Sequence, residues 1–84
     1  MLVQVLGAGC AKCLLLAGNA EAAAKEAKES GIDCVVEKVT DIVKIMSFDV
    51  IQTPALLIDG KLCRAGTVPT VSEIKTMILE AAEV

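Results

Sequence analysis

A short, largely apolar run, Leu2-Val3-Gln4-Val5-Leu6, closes at Gly7 and gives way to a stretch from about Cys10 to Ser30 made mostly of Ala, Leu, Glu and Lys. This early change of period constrains the fold more than any other feature. A β-branched run of that length reads as a strand buried on both faces. A long stretch of strong helix formers reads as a helix. Glu21 and Lys25 stand four apart in the order that supports a helix. Gly31 then supplies a residue able to end it. Gly18-Asn19 falls inside the helix, where glycine weakens it, and predicts a kink or local irregularity there.

The rest of the chain continues the alternation. Ile32 to Val39 reads as a second strand. Thr40 reads as a helix N-cap with Asp41 in the first turn. Ile42, Val43, Ile45 and Met46 then form an apolar helical face up to about Phe48. Val50 to Thr53 leads to Pro54, and Ala55 to Ile58 is a third strand. Asp59-Gly60 is a two-residue hairpin signal, and Lys61 to Ala65 is a fourth strand. After a loop from Gly66 to Pro69, Thr70-Val71-Ser72-Glu73 matches a capping box. It opens a last helix with Val71, Ile74, Ile78 and Ala81 at helical spacing. The order is β-α-β-α-β-β-α. A parallel β-α-β unit crosses over right-handed, and the hairpin adds an antiparallel pair. The expectation is one α/β domain over residues 1–84, a four-stranded mixed sheet with helices on both faces.

A chain of 84 residues needs a dense core. Hydrophobic residues supply 55% of it, with Phe48 the single aromatic. A core without large rings suits a thin sheet–helix sandwich better than a roomy ligand cavity. The net charge is −3, and the eight Lys and Arg are scattered, which argues against a nucleic-acid partner. With no His there is no Cys–His or Ser–His nucleophile pair and no His-based metal site. Gln4, Gly7, Gly9 and Lys12 interrupt the N-terminal stretch and no Lys or Arg precedes it, unlike an export signal. No run approaches the ~20 apolar residues of a membrane span. The expectation is a cytoplasmic protein without a membrane partner. In that compartment stable structural disulfides are rare, so the four Cys read as catalytic, metal-bound or simply buried.

Cys10-Ala11-Lys12-Cys13 is a CxxC that follows the first strand and opens the first helix. The free N–H groups and dipole of a helix N-terminus favour negative charge. A thiolate at Cys10 is therefore stabilised there, with Lys12 in support. A two-residue spacer lets both sulfurs meet on the first turn. A thiol of lowered pKa also leaves faster and is easier to keep reduced. Cys10 is the candidate nucleophile and Cys13 the resolving thiol. The Cys10 thiolate would attack a substrate disulfide, and Cys13 would then attack Cys10 and release the reduced substrate. That cycle runs on the Cys10–Cys13 disulfide and requires no metal or organic cofactor. Thr53-Pro54-Ala55 is the second site element. A cis Thr53–Pro54 bond would turn the Thr53 backbone outward beside the dithiol, where an extended substrate could pair with it.

These motifs resemble the thioredoxin superfamily, and more closely its small prokaryotic redox-active disulfide proteins, the glutaredoxin-like mini-thioredoxins. The resemblance runs through Gly-Ala-Gly-Cys-Ala-Lys-Cys, Val-Glu-Lys-Val-Thr-Asp, Thr-Pro-Ala-Leu-Leu-Ile-Asp-Gly-Lys and Val-Pro-Thr. It implies a thioredoxin-like fold, disulfide reductase activity, a redox pair at Cys10 and Cys13, and a cis proline at Pro54. The expected substrates are protein or small-molecule disulfides, with a disulfide-containing protein and a reductase as partners; the resemblance suggests that this electron donor is flavin-dependent. A monomer is expected. The chain departs from the pattern in places. Thioredoxins usually carry a buried Asp six residues before the first Cys, where Gln4 stands, and a Trp beside the motif, which this chain lacks. Arg64-Ala65-Gly66-Thr67 lacks the Gly-Gly and acidic pair with which glutaredoxins hold glutathione. That argues against glutathione as the dedicated reductant.

Leu14-Leu15-Leu16 directly behind the CxxC is expected to pack inward, the alternative being that part of it is exposed for a partner. Cys34 and Cys63 lie in predicted strands and read as small buried hydrophobes. A second disulfide between them is the lesser alternative and would need Cα atoms within ~7 Å. The rival reading of the whole chain is a soft-metal carrier for Cu(I) or Zn using the same cysteines. Such carriers follow a β-α-β-β-α-β order, whereas here a helix follows the second strand and another ends the chain.

Overall fold

The structure is a computed structural model that describes residues 1–50 and 52–83; Ile51 and Val84 lie outside the described residues. The alternation of strand and helix formers yields β1 (Leu2–Leu6), α1 (Ala11–Glu29), β2 (Val35–Val39), α2 (Ile42–Met46), β3 (Ala55–Ile58), β4 (Lys61–Ala65) and α3 (Val71–Ala82). The strands form one sheet in the order β2-β1-β3-β4. β1 is parallel to β2 and antiparallel to β3, and β3 is antiparallel to β4. This is the α/β, four-stranded mixed sheet anticipated from the sequence.

Period-two alternation divides the sheet between two apolar layers. On one face Val3, Val5, Leu56 and Ile58 meet α1 and α3 through Leu16, Ile74 and Ile78. On the other, Leu6, Val39, Ala55 and Leu57 are covered by Ile45 of α2 and by Phe48. The buried side of α1 carries Ala17, Ala20, Ala23, Ala24 and Ala27. These short side chains let the helix lie close to the sheet. At the hairpin Asp59 (φ 49°) and Gly60 (φ 83°) both adopt left-handed backbone, as a type I′ turn requires. The Asp59 carboxylate accepts from the Leu2 amide at 2.8 Å, fastening the hairpin to the central strand.

Several boundaries and packing expectations need correction. β2 begins at Val35 rather than Ile32. The Ile32 amide donates to Ala27 O at 3.0 Å, which wraps the chain around the end of α1, and sheet pairing starts only where Val35 N donates to Met1 O at 2.9 Å. The cap of α2 is Asp41, not Thr40: its carboxylate accepts from Val43 N at 3.0 Å. That helix spans only Ile42–Met46, so it buries Ile45 alone of its expected apolar face. α1 continues through Gly18 without a break, and Asn19 beside it donates to Pro69 O at 3.0 Å. In α3, Ile74 and Ile78 are buried whereas Ala81 is exposed.

Cys34 and Cys63 are free thiols. Cys34 is buried just before β2, and Cys63 is half-buried in β4 at a bulge, where Leu56 faces Arg64 and Leu57 faces Leu62. β2 and β4 are opposite edges of the sheet with two strands between them. At ~4.8 Å per strand interval the two backbones stand ~14 Å apart, so the alternative Cys34–Cys63 disulfide is sterically impossible. Burial pushes the Cys34 thiol up from its ordinary value, the N-terminal ammonium opposing and Asp33 reinforcing that shift.

Candidate active site

Every sequence-predicted site residue lies at one end of the sheet, where β1 and β2 finish and β3 begins. Cys10 is the N-cap of α1, with extended backbone (φ −68°, ψ 165°). Its sulfur accepts the Cys13 amide at 3.1 Å. A helix N-terminus leaves its first N–H groups without intrahelical partners. One of them thus points at Cys10 Sγ, in the arrangement that stabilises sulfur as an anion. Cys10 and Cys13 are joined as a disulfide, with Cα atoms 5.0 Å apart. Cys10 is exposed, while Cys13 is 5% exposed. An attacking molecule therefore meets Cys10 first. Lys12 between them is exposed.

Gly7 brings this turn against the sheet. Sequence reasoning took it only as the end of a strand. A Cβ built on Gly7 would overlap Cys13 Sγ and stand 2.7 Å from Cys13 Cβ, so a glycine is required for the buried sulfur to sit there. The Gly7 amide donates to Val39 O at 3.0 Å, continuing the β1–β2 pairing one residue further. The signal in the sequence was a glycine between a strand and a helix opening, where close backbone approach is one of two readings.

Thr53-Pro54 reaches the same place from the antiparallel side. Leu6 faces Ala55 across β1 and β3, so Pro54 comes next to Gly7. The Thr53–Pro54 peptide bond is cis. Pro54 is buried and Thr53 is exposed. Gly66, past the end of β4, donates its amide to Pro54 O at 2.8 Å and holds the proline segment. Gly66 has φ 79° and a Cβ there would meet the Gln52 side chain at 2.5 Å. Its role was not visible in sequence, where it marked only the start of a loop.

Below this end, Gln4 is buried on the α2 face, and its Nε2 donates to Glu37 Oε1 at 2.9 Å. The carboxylate usual in the resembled family is thus replaced by an amide paired with an exposed acid on the neighbouring strand.

The expectation that Leu14-Leu15-Leu16 packs inward holds only for Leu16. Leu14 is 66% exposed and Leu15 is 60% exposed. Three consecutive helical positions span most of a turn, and one side alone of α1 faces the core.

The family described as "Thioredoxin domain" matches residues 1–79. A curated thioredoxin of Methanothermobacter thermautotrophicus is 37% identical over 78 residues, covering 93% of this chain and 97% of that protein. A thioredoxin of Methanocaldococcus jannaschii is 35% identical over 75 residues, covering 89% of this chain and 83% of its own length.

Proposed function

This chain belongs to the thioredoxin domain family, and from that premise we propose that its Cys10 attacks, and its Cys13 resolves, in the reduction of protein disulfides. The chain is a thiol–disulfide oxidoreductase of the disulfide-reductase type. The observation that carries the residue roles is the asymmetry of the pair. One sulfur is exposed and accepts a helix-opening N–H; the other is buried against Gly7.

In the cycle the Cys10 thiolate attacks one sulfur of a substrate disulfide. The substrate S–S bond breaks, its leaving thiolate takes a proton, and a mixed disulfide forms. Cys13 loses its proton and attacks Cys10 Sγ, releasing the second substrate thiol. The substrate gains two electrons and two protons, and Cys10–Cys13 becomes oxidised. The electrons travel on the two sulfurs, so the exchange calls for no added cofactor. Lys12 supports the thiolate by its charge. Exposed Thr53, through its backbone, and buried Pro54 receive an extended segment of substrate beside the disulfide. A reductase, flavin-dependent in this reading, restores the dithiol. The work is that of a cytoplasmic monomer. Among the described residues no helix is long and apolar enough to cross a membrane.

The test is a pair of substitutions in an insulin-reduction assay with dithiothreitol as donor. Cys10→Ser abolishes turnover. Cys13→Ser accumulates a mixed disulfide visible by mass spectrometry. Turnover retained in Cys10→Ser overturns the assignment.

A further inference from the structure

Neither helix propensity nor core packing accounts for Asn19. It stands in the interior of α1, where Asn is a poorer helix former than Ala, Leu, Lys or Glu. It is half-buried, and the residues three before and four after it, Leu16 and Ala23, are both fully buried. Position 19 is thus at the margin of the side that faces the core, where an apolar residue would pack without burying a polar group. What the side chain does there is donate, through Nδ2, to Pro69 O at 3.0 Å.

Pro69 is buried and has no amide of its own to donate. The first intrahelical bond of α3 is accepted one residue later, by Thr70 O. Asn19 therefore partners the one backbone polar group that Pro69 has. Three residues earlier, Gly66 donates its amide to Pro54 O at 2.8 Å. Between them, Val68 packs against the core layer beneath α1 and α3. The 66–69 segment is thus pinned at one end to the helix that carries the disulfide and at the other to the cis proline. Two further side-chain ties hold α1 to other elements, Glu21–Lys38 at 3.2 Å and Glu26–Lys75 at 3.6 Å. Both join largely exposed groups, which fix a position weakly, and neither involves this segment.

Resting on the oxidoreductase reading, we propose that Asn19 is a positioning residue for disulfide exchange. Through Pro69 and the 66–69 segment it sets where the Thr53–Pro54 backbone stands relative to the Cys10–Cys13 turn. A substrate segment laid along that backbone then brings its sulfur to Cys10 Sγ at the distance and angle that exchange requires. Asn19 lies about 13 Å along the helix from Cys10 and acts only through this link. Its effect falls on alignment and not on the thiolate, which is stabilised by the N–H groups at the opening of the helix.

The experiment uses the full chain, reduced and freed of reductant, and measures its second-order rate of oxidation by insulin, well below the melting temperature of each variant. In Asn19→Leu, which keeps the size and removes the donor, that rate falls about tenfold, the scale of a sub-ångström misalignment. Asn19→Ser, too short to reach Pro69, takes the same measurement should the leucine variant fail to melt cooperatively. Asn19→Gln, with the donor on a longer arm, recovers the rate to within about threefold. The pH midpoint for alkylation of Cys10 by iodoacetamide, read by peptide mass spectrometry, stays where it is in the wild type. Gly66→Ala strikes the other end of the same link, so the double variant Asn19→Leu/Gly66→Ala is no slower than the slower of the two single ones. A wild-type rate in the variant that lacks the donor, or a moved alkylation midpoint, overturns the proposal. So do losses that simply multiply in the double variant, or no recovery in Asn19→Gln, either of which marks a merely structural role. Failure of the underlying reading looks different: the wild type itself would then not reduce insulin.

Discussion

Gly7 has no side chain, and Cys13 occupies the space that one would fill. Gly7→Ala must push the first turn of α1 away from the end of β1. A displacement of about 1 Å at a reacting group can cost on the order of a hundredfold in rate. Gly7→Ala is therefore expected to cut insulin reduction by about ten- to a hundredfold, a loss measurable by steady-state turnover on protein that still melts cooperatively. The two remaining thiols separate by environment. Cys34 is buried with its thiol pushed up by desolvation, whereas Cys63 is half-exposed on an edge strand. The thiolate is the reactive form. With Cys10–Cys13 oxidised, iodoacetamide at pH 8 should label Cys63 and spare Cys34 until denaturant is added, as peptide mass spectrometry would show. A raised folded-state value gives Cys34 a contribution to stability fully present below the ordinary 9.0 and lost as pH rises through the folded value. At this scale the sequence made Cys10, Cys13 and Pro54 legible because their spacing and neighbours are distinctive. Gly7 and Gly66 were legible only as breaks in periodicity, because the contact each one makes comes from a distant part of the chain.

Among the elements, α3 shows what a local signal can specify. Thr70 Oγ1 accepts from Glu73 N at 3.1 Å, and Glu73 Oε1 accepts from Thr70 N at 3.0 Å. Those hydrogen bonds, the Thr70 backbone bond first, hold the Glu73 carboxyl below its ordinary value, with the Arg64 guanidinium adding a smaller effect. A depressed carboxylate contributes stability above its unfolded-state value and loses it as pH falls through the folded one. Glu73→Gln should therefore lower Tm at pH 7, with the gap to wild type closing as both are melted at progressively more acid pH. Thr70→Ala should cost about 1 kcal/mol by urea denaturation. The capping box was readable because all its partners lie within four residues. The start of β2 was not, because it depends on where Met1 meets Val35. The cap of α2 was misplaced by one residue because Thr40 and Asp41 both offer a side-chain oxygen, and only the fold decides which one reaches Val43 N. The leucine run is open to both inward packing and partial exposure, and the favoured inward packing holds only for Leu16, because apolar content predicts burial only if every side of a helix has something to pack against.

Across the whole molecule, the sheet joins the two layers through β1 and β3. Leu56 is fully buried in β3 beneath α1 and α3. Leu56→Ala should destabilise by about 2–5 kcal/mol. The check is a lowered urea midpoint with an unchanged slope, which would mark a loss of stability rather than a changed unfolding reaction. The element order was evident from sequence because each segment has its own period. The placing of β1 and β3 at the centre, and of β2 and β4 at the edges, depends on pairings between distant segments that no single segment announces.

The alanine seam of α1 has one more consequence. Ala17, Ala20, Ala23, Ala24 and Ala27 set how far the helix sinks toward the strands, and the helix is the shaft on which the sulfurs are mounted. Each added methylene along that seam would raise the shaft and tilt its sulfur-bearing tip away from the proline. The placing of the disulfide turn at one end of the molecule is thus set in part by five methyl groups stretched along its interior.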